Sequence, residues 1–398
     1  MAGPLAGVRV LDLTTVVMGP YATQVLADFG ADVVKLEPPE GDIMRFAAPM
    51  RSSGMGHIFL NANRNKRSIV LDLKAPAGLE ACLALAKGAD VLVYNIRPQA
   101  MARLGLSYED VRAVNPRIVY VGAFGYSQRG PCAAKAAYDD LIQGAAGLPW
   151  LLQAASGETP RYSPVIMADR TVGLHVVNAV CAALYHRERT GAGQRVDVPM
   201  FESLLQSVLG EHLGGHTFEP PEGDPGYARM LAKDRRPYRT RDGYVCVLVY
   251  NDKQWKAFLR LIGRPELIDD PRYASQEARS RNFDVTNRLV TEEMAQRTTA
   301  AWLEALGAAD IPVERMNSLQ DIVEDPHLAA IGYFREIEHP TEGRIRSMAV
   351  PSEWSGSQPE YRRHAPRQGE HTRELLQEAG YGPAEIETLI AAGAAKAA

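Results

Sequence analysis

The first 125 residues alternate two patterns, and that alternation restricts the fold more than any other feature of the chain. Val8 to Leu13 (VRVLDL) is a short β-rich run; Pro20 to Phe29 (PYATQVLADF) spaces its apolar residues helically and closes on Gly30; Asp32 to Leu36 (DVVKL) is β-rich again. The unit then recurs. SIVLDL at Ser68 to Leu73 leads to a helix opened by Pro76 and closed by Gly88, followed by DVLVY at Asp90 to Tyr94, RIVYVGAF at Arg117 to Phe124 and, further on, QRVDV at Gln194 to Val198. Strands separated by helices run parallel, so the pattern predicts an α/β protein with a large, doubly wound, Rossmann-like sheet.

Composition changes at Gly214 to Asp242, where GGHTFEPPEGDPG and KDRRPYRTRDG crowd Gly, Pro and charge into a linker. Beyond it, YVCVLVY (Tyr244 to Tyr250) reads as a strand, and Trp255, Leu259, Ile262, Trp302, Leu303 and Leu306 fall at helical spacings. This predicts a smaller α+β domain, giving boundaries of 1–213 for the first part of the large domain, 214–325 for linker and small domain, and 326–398 for a segment returning to the large domain. The apolar run Thr171 to His186 is bounded by Arg170 and Arg187 and falls short of the roughly 20 residues a membrane span needs, so it is expected to be a buried helix. Cys82, Cys132, Cys181 and Cys246 are too widely spaced for a paired metal or redox motif and read as buried small hydrophobes of a reducing compartment. With no basic and apolar leader at the N-terminus and no N-x-S/T acceptor, the expected location is cytoplasmic. A net charge of −4 speaks against a surface devoted to nucleic acid or anionic lipid.

GxGxxG after the first strand, GxxxxGK[ST], HExxH and GxSxG are all absent from the sequence. His212 and His216 stand four apart but run into Gly214-Gly215, which weakens the helix a metal pair would need. Two features remain. Between Leu60 and Arg103 seven cations (Arg64, Lys66, Arg67, Lys74, Lys87, Arg97, Arg103) face three carboxylates (Asp72, Glu80, Asp90). Such a run is ordinarily a solvated face, but Lys74 after a strand and Arg103 after a loop fall where parallel sheets collect phosphorylated ligands. The second is Asp169, which directly precedes the apolar helix. Its position suits an N-cap, held ionised by the positive helix end and able to attack an activated acyl group.

The motifs PLAGVRVLDLT, LADFGADVVKLEPPEGD, NRNKRSIVLDLK, NIRP with RLGL after Asn95, YDDLIQGAAG, ADRTVGL, HRERTGAGQRVDVPMFE and IPVERMNSLQDIVEDPHL occur in one order across nearly the whole chain. In these the chain resembles the family III CoA-transferases, of the formyl-CoA transferase and carnitine-CoA-transferase type. The resemblance implies that Asp169 is the nucleophile, forming aspartyl anhydrides and an aspartyl-CoA thioester. Acyl-CoA, succinyl-CoA or similar, and a small carboxylic acid are then the substrates, with no metal and no prosthetic group. It assigns CoA contacts to Val17, Met18, Leu71, Lys74, Asn95, Ile96, Arg97, Arg103, Lys135 and Asp139, and it implies an interlocked, ring-like homodimer.

The chain also departs from the family pattern. Pro38 replaces an arginine that grips CoA in formyl-CoA transferase, and the glycine run of that enzyme's second domain shrinks to Gly214-Gly215, which disfavours formate or oxalate as the dedicated substrate. The same superfamily contains α-methylacyl-CoA racemase, whose histidine before the YDD-like aspartate is here Tyr138, expected in the acceptor pocket and a poor base near neutrality. A racemase-type isomerase and a non-catalytic CoA-binding protein are the alternatives to transfer.

Overall fold

The computed structural model describes residues 3–398. The chain divides into two compact units: the first takes the chain up to Ala146, Ser163–Ser207 and Ala329–Ala398, the second Gly147–Tyr162 and Val208–Leu328. The second unit therefore starts and ends a few residues away from the 214–325 expected, and it includes Gly147–Tyr162, which the sequence pattern assigns to the large domain.

The first unit is built on β1 (Arg9–Leu13), β2 (Asp32–Glu37), β3 (Lys66–Leu71), β4 (Val91–Tyr94), β5 (Val119–Phe124) and β6 (Gln194–Pro199). These six are mutually parallel in the order β3-β2-β1-β4-β5-β6, and the short strand Ala395–Lys396 adds antiparallel to the outer edge of β3. Strand order reverses between β1 and β4, which defines the switch point of a doubly wound sheet. The helices that bear on the site are α1 (Met18–Asp28), α2 (Pro76–Lys87), α3 (Asp139–Ala145) and α4 (Met167–Thr190).

Alternate residues of each strand point to opposite faces. Leu11, Leu36, Ile69 and Leu92 meet Cys82 and Leu85 of α2 and Leu375 and Leu389 near the C-terminus in one apolar core. The other face, towards α1, carries Asp12, Lys35, Glu37 and Lys66, all buried. Burial of both faces goes with the near-continuous apolar runs of β4 (VLVY) and β5 (VYVGAF), whereas β1 to β3 carry charged residues that are buried as well.

Helix α4 is longer than expected, at 24 residues, and it is half-buried: Val172, Val176 and Val180 are covered while Leu174 and Tyr185 are exposed. No described helix is long and apolar enough to cross a membrane. Of the four cysteines only Cys82 is buried; Cys132 and Cys181 are partly exposed and Cys246 is exposed, and all are free thiols. The second unit holds an antiparallel sheet of β7 (Tyr238–Arg239), β8 (Tyr244–Val247) and β9 (Val313–Arg315), with a core around Trp255, Phe258 and Trp302.

Candidate active site

The site is built where β1 hands over to α1. Gly19 in the first turn of α1 has room for no side chain, because a Cβ there would sit 2.3 Å from the Thr14 Cβ. Gly173 plays the same part in α4: a Cβ would come within 3.0 Å of the Met18 carbonyl oxygen and 2.9 Å of the Tyr21 ring. This close approach lays α4 on α1 and brings Asp169, one turn earlier, against the Met18 amide. Asp169 is the third residue of α4, only 7% exposed. It is not an N-cap, since that position belongs to Ile166, which makes no side-chain cap.

Nor is Asp169 held at low pKa as the helix-end position suggested. Burial first, and then the neighbouring Asp139 carboxylate, push its carboxyl up to about 7, against the Met18 N–H and the Arg170 guanidinium, which favour the ionised form. Asp139 itself sits behind Asp169: its Oδ1 accepts from the Asp169 backbone N–H at 3.0 Å, and its Oδ2 accepts from Gln143 Nε2 at 2.5 Å. Gln143, fully buried, uses its Oε1 to accept from the Ser163 N–H at 2.9 Å. Sequence reasoning missed Gln143, because a glutamine four residues after an aspartate signals only a helix-face pair. A buried carboxyl with its pKa raised towards neutrality, close to the Met18 peptide, is a group suited to nucleophilic or acid–base work.

At the carboxyl ends of the strands lies a cavity of about 250 Å³ walled by Leu13 at the end of β1 and Thr15 beyond it, Leu36 of β2 and Pro38 beyond it, Leu71 to Lys74 at and after the end of β3, and Ile96 after β4; Asp169 is not among its lining residues. This brings Leu71, Lys74 and Ile96 of the expected CoA contacts into one crevice at the switch point. Lys74, Arg97, Arg103 and Lys135 are exposed, and none has a carboxylate partner among the described residues. Val17 and Met18 are buried at 2% and 4%, so what they can offer a ligand is backbone. Asn95 is turned inward, its Oδ1 accepting from the Thr15 N–H at 2.9 Å and its Nδ2 donating to the Thr15 carbonyl at 2.7 Å. Tyr138, 65% exposed, caps α3 with its backbone beside Asp139.

Three members of the basic run do not serve the crevice. Arg64 pairs with Asp28 at 2.8 Å, Lys66 with Asp12 at 3.0 Å, and Arg67 with Asp32, Glu374 and Glu378. Their charge is spent inside the fold, leaving Lys74, Lys87, Arg97 and Arg103 as the outward cations, with Lys87 in the last turn of α2 and away from the lining of the crevice. His212 Nδ1 accepts from the Tyr227 N–H, and among the described residues no group of three His, Cys, Asp or Glu is arranged to hold a metal ion. A larger cavity, about 580 Å³, lies in the second unit. Most of its arginines are engaged: Arg279 with Asp252 and the Tyr273 carbonyl, Arg229 over the Tyr250 ring.

The doubly wound sheet, the crevice at the carboxyl ends of its strands and the buried Asp169 carboxylate are features of an α/β enzyme. A sequence model of CoA-transferase family III matches residues 5–372. Succinyl-CoA:glutarate CoA-transferase of Mus musculus is 33% identical over 98% of this chain and 90% of its own length. A formyl-CoA:oxalate CoA-transferase of Streptomyces avermitilis is 35% identical over 99% of this chain and 100% of its own. Among solved structures, Rv3272 of Mycobacterium tuberculosis superposes with a TM-score of 0.81 at 30% identity, covering 94% of this chain and 99% of that one. A CAIB/BAIF family protein of Brucella suis gives 0.78 at 29%, covering 95% and 100%. The chain belongs to CoA-transferase family III.

Proposed function

We propose that this chain moves CoA from succinyl-CoA or a similar short acyl-CoA to a small dicarboxylic acid, with Asp169 as the nucleophile. The observation that carries the reading is the buried Asp169 carboxylate, poised near neutrality beside the Met18 N–H in a family III chain. An Asp169 oxygen attacks the thioester carbonyl, the C–S bond breaks and CoA leaves as thiolate. The thiolate then attacks the Asp169 carbonyl of the mixed anhydride, freeing the donor acid and leaving an aspartyl-CoA thioester. The acceptor carboxylate expels the thiolate again to form a second anhydride, and the thiolate attacks the acceptor's carbonyl, releasing the new acyl-CoA and the Asp169 carboxylate. No water enters, and burial of Asp169 serves that requirement. The Met18 N–H is placed to donate to oxygen charge on the aspartyl group.

Lys74, Arg97, Arg103 and Lys135 supply cationic contacts for the CoA phosphates, with Leu71 and Ile96 as apolar wall. Names among the relatives support a dicarboxylate acceptor, and the loss of the glycine run favours glutarate over oxalate as its type. Exposed Leu174, Tyr185, Tyr138 and Leu141 support burial against a second copy in an interlocked homodimer, which light scattering checks at the level of mass. Free thiols suit a reducing, cytoplasmic setting.

Incubation with succinyl-CoA alone followed by hydroxylamine is expected to leave a hydroxamate on Asp169 and to inactivate the enzyme. Asp169→Asn is expected to lose both transfer and trapping. Full transfer by that variant refutes the assignment.

A further inference from the structure

The loop from Thr14 to Met18 is buried or nearly so, and its peptide groups need partners. Almost all come from side chains. The Thr14 N–H donates to Asp12 Oδ1 at 2.9 Å, and the Thr14 carbonyl accepts from Lys35 Nζ at 2.9 Å. Both peptide groups of Thr15 are taken by the Asn95 amide, and the Val16 N–H donates to Asp42 Oδ1 at 3.2 Å. Two residues on, in the first turn of α1, the Met18 backbone lies against α4, its carbonyl oxygen 3.0 Å from where a Cβ on Gly173 would stand, and Asp169 is four residues earlier on that same face of α4.

Val16 lies at φ +71°, the left-handed region that a β-branched side chain resists, so the loop holds a turn its own sequence disfavours. The groups that hold it include two ion pairs with no exposure at all, Lys35–Asp42 at 2.9 Å and Lys66–Asp12 at 3.0 Å. Fully buried pairs add little net stability over apolar side chains of similar volume. Here they come with a backbone geometry: Asp42 is itself fixed by its N–H donating to Glu37 Oε2 at 3.1 Å, and Glu37 by Arg45 at 2.6 Å.

We propose that Asp42, Lys35 and Asn95 are positioning residues: they hold Thr14–Val16 in the one conformation that keeps the Met18 N–H on the Asp169 carboxylate. This positioning rests on the proposed function only for its kinetic consequence. Asn95 thereby acquires a role different from the CoA contact that the sequence implied.

The test uses Asn95→Ala and Asp42→Asn in the full-length protein, with two readouts. Titration of Asp169 is followed by carbon-13 NMR of aspartate-labelled enzyme, the resonance assigned by its loss in Asp169→Asn. Acylation by succinyl-CoA is followed by hydroxylamine trapping against pH. Loss of an N–H donor disfavours the ionised carboxylate, so the Asp169 midpoint is expected to rise in both variants. A midpoint higher by about one pH unit corresponds to about tenfold slower trapping on the acid side, with the rate recovering at high pH and KM for succinyl-CoA unchanged. Removing the Asp42 charge acts electrostatically in the opposite direction, so an upward shift in Asp42→Asn separates positioning from charge. The groups facing Asp169 that also enter its titration, Asp139 and Arg170, are intact in both variants.

An unmoved midpoint in folded Asn95→Ala overturns the inference, as does a raised KM with unchanged pH profile, which marks Asn95 as a ligand contact. Failure of Asn95→Ala to fold overturns it too, since the loop then serves stability alone. Transfer surviving in Asp169→Asn refutes the nucleophile while leaving the NMR result to decide the loop.

Discussion

At the scale of single residues, Asp169 carries two measurable consequences of one physical fact, the desolvation of its carboxylate. Acylation by the proposed mechanism requires the ionised form, so its rate is expected to rise with pH along a limb centred near 7, rather than being flat above pH 5 as for an ordinary carboxylate. Stopped-time trapping between pH 5 and 9 checks this. The second consequence is on stability. The folded pKa lies above the unfolded one, so this group costs nothing below about pH 4, destabilises progressively as pH rises towards 7, and levels off above. A tenfold change in an ionisation constant is worth about 1.4 kcal/mol, so Asp169→Asn should raise the melting temperature at pH 8 by an amount equivalent to a few kcal/mol, and much less at pH 4. Equal gains at both pH values would place the effect in packing instead of ionisation.

At the scale of elements, the approach of α4 to α1 depends on Gly173. A methyl there meets the Met18 carbonyl oxygen and the Tyr21 ring inside normal contact, and neither α1 nor the helix backbone can yield cheaply. Gly173→Ala is expected to lower stability by about 1–3 kcal/mol in urea titrations and to slow acylation more than it weakens CoA binding. The segments after β3 and β4 carry the proposed CoA contacts, Arg103 at the end of the helix Pro98–Arg103. Lys74, Arg97 and Arg103 are exposed, and Lys74→Ala, Arg97→Ala and Arg103→Ala are each expected to raise KM for the acyl-CoA several-fold with kcat retained. The effect should shrink in high salt, because exposed charges are screened. Steady-state kinetics at two ionic strengths reads this out.

For the whole molecule, the C-terminal strand closes the sheet. Ala395 and Lys396 pair with Leu71 and Val70, and the Lys396 carbonyl accepts from Thr372 Oγ1 at 2.7 Å. Deleting residues 392–398 bares the edge of β3, a strand buried on both faces, and is expected to lower the urea midpoint and to produce association beyond the parent's own state in light scattering. Much of this unit was legible in the sequence: strand and helix periods are local, so VRVLDL, DVVKL and DVLVY marked β1, β2 and β4 without any knowledge of neighbours. The charged residues within those strands were not legible in the same way. Lys35 and Lys66 look like solvated charges until a helix is known to cover their face, and only then does the Asp12–Lys66 pair belong to the core. Gly147–Tyr162 likewise gives no local sign that it packs with the second unit.

By itself the sequence determined the α/β order and the membership of family III, because strand and helix periods and the family's motifs, ADRTVGL around Asp169 among them, are written in residue type and spacing. Tertiary structure alone decided that this carboxylate is raised instead of lowered, that Asp139 accepts from the Asp169 N–H, and that Asn95 holds both peptide groups of Thr15. The reason is common to all three. Ionisation and hydrogen-bond partnership depend on which remote segments exclude water from a group and which donors they bring, and no spacing along the chain encodes either.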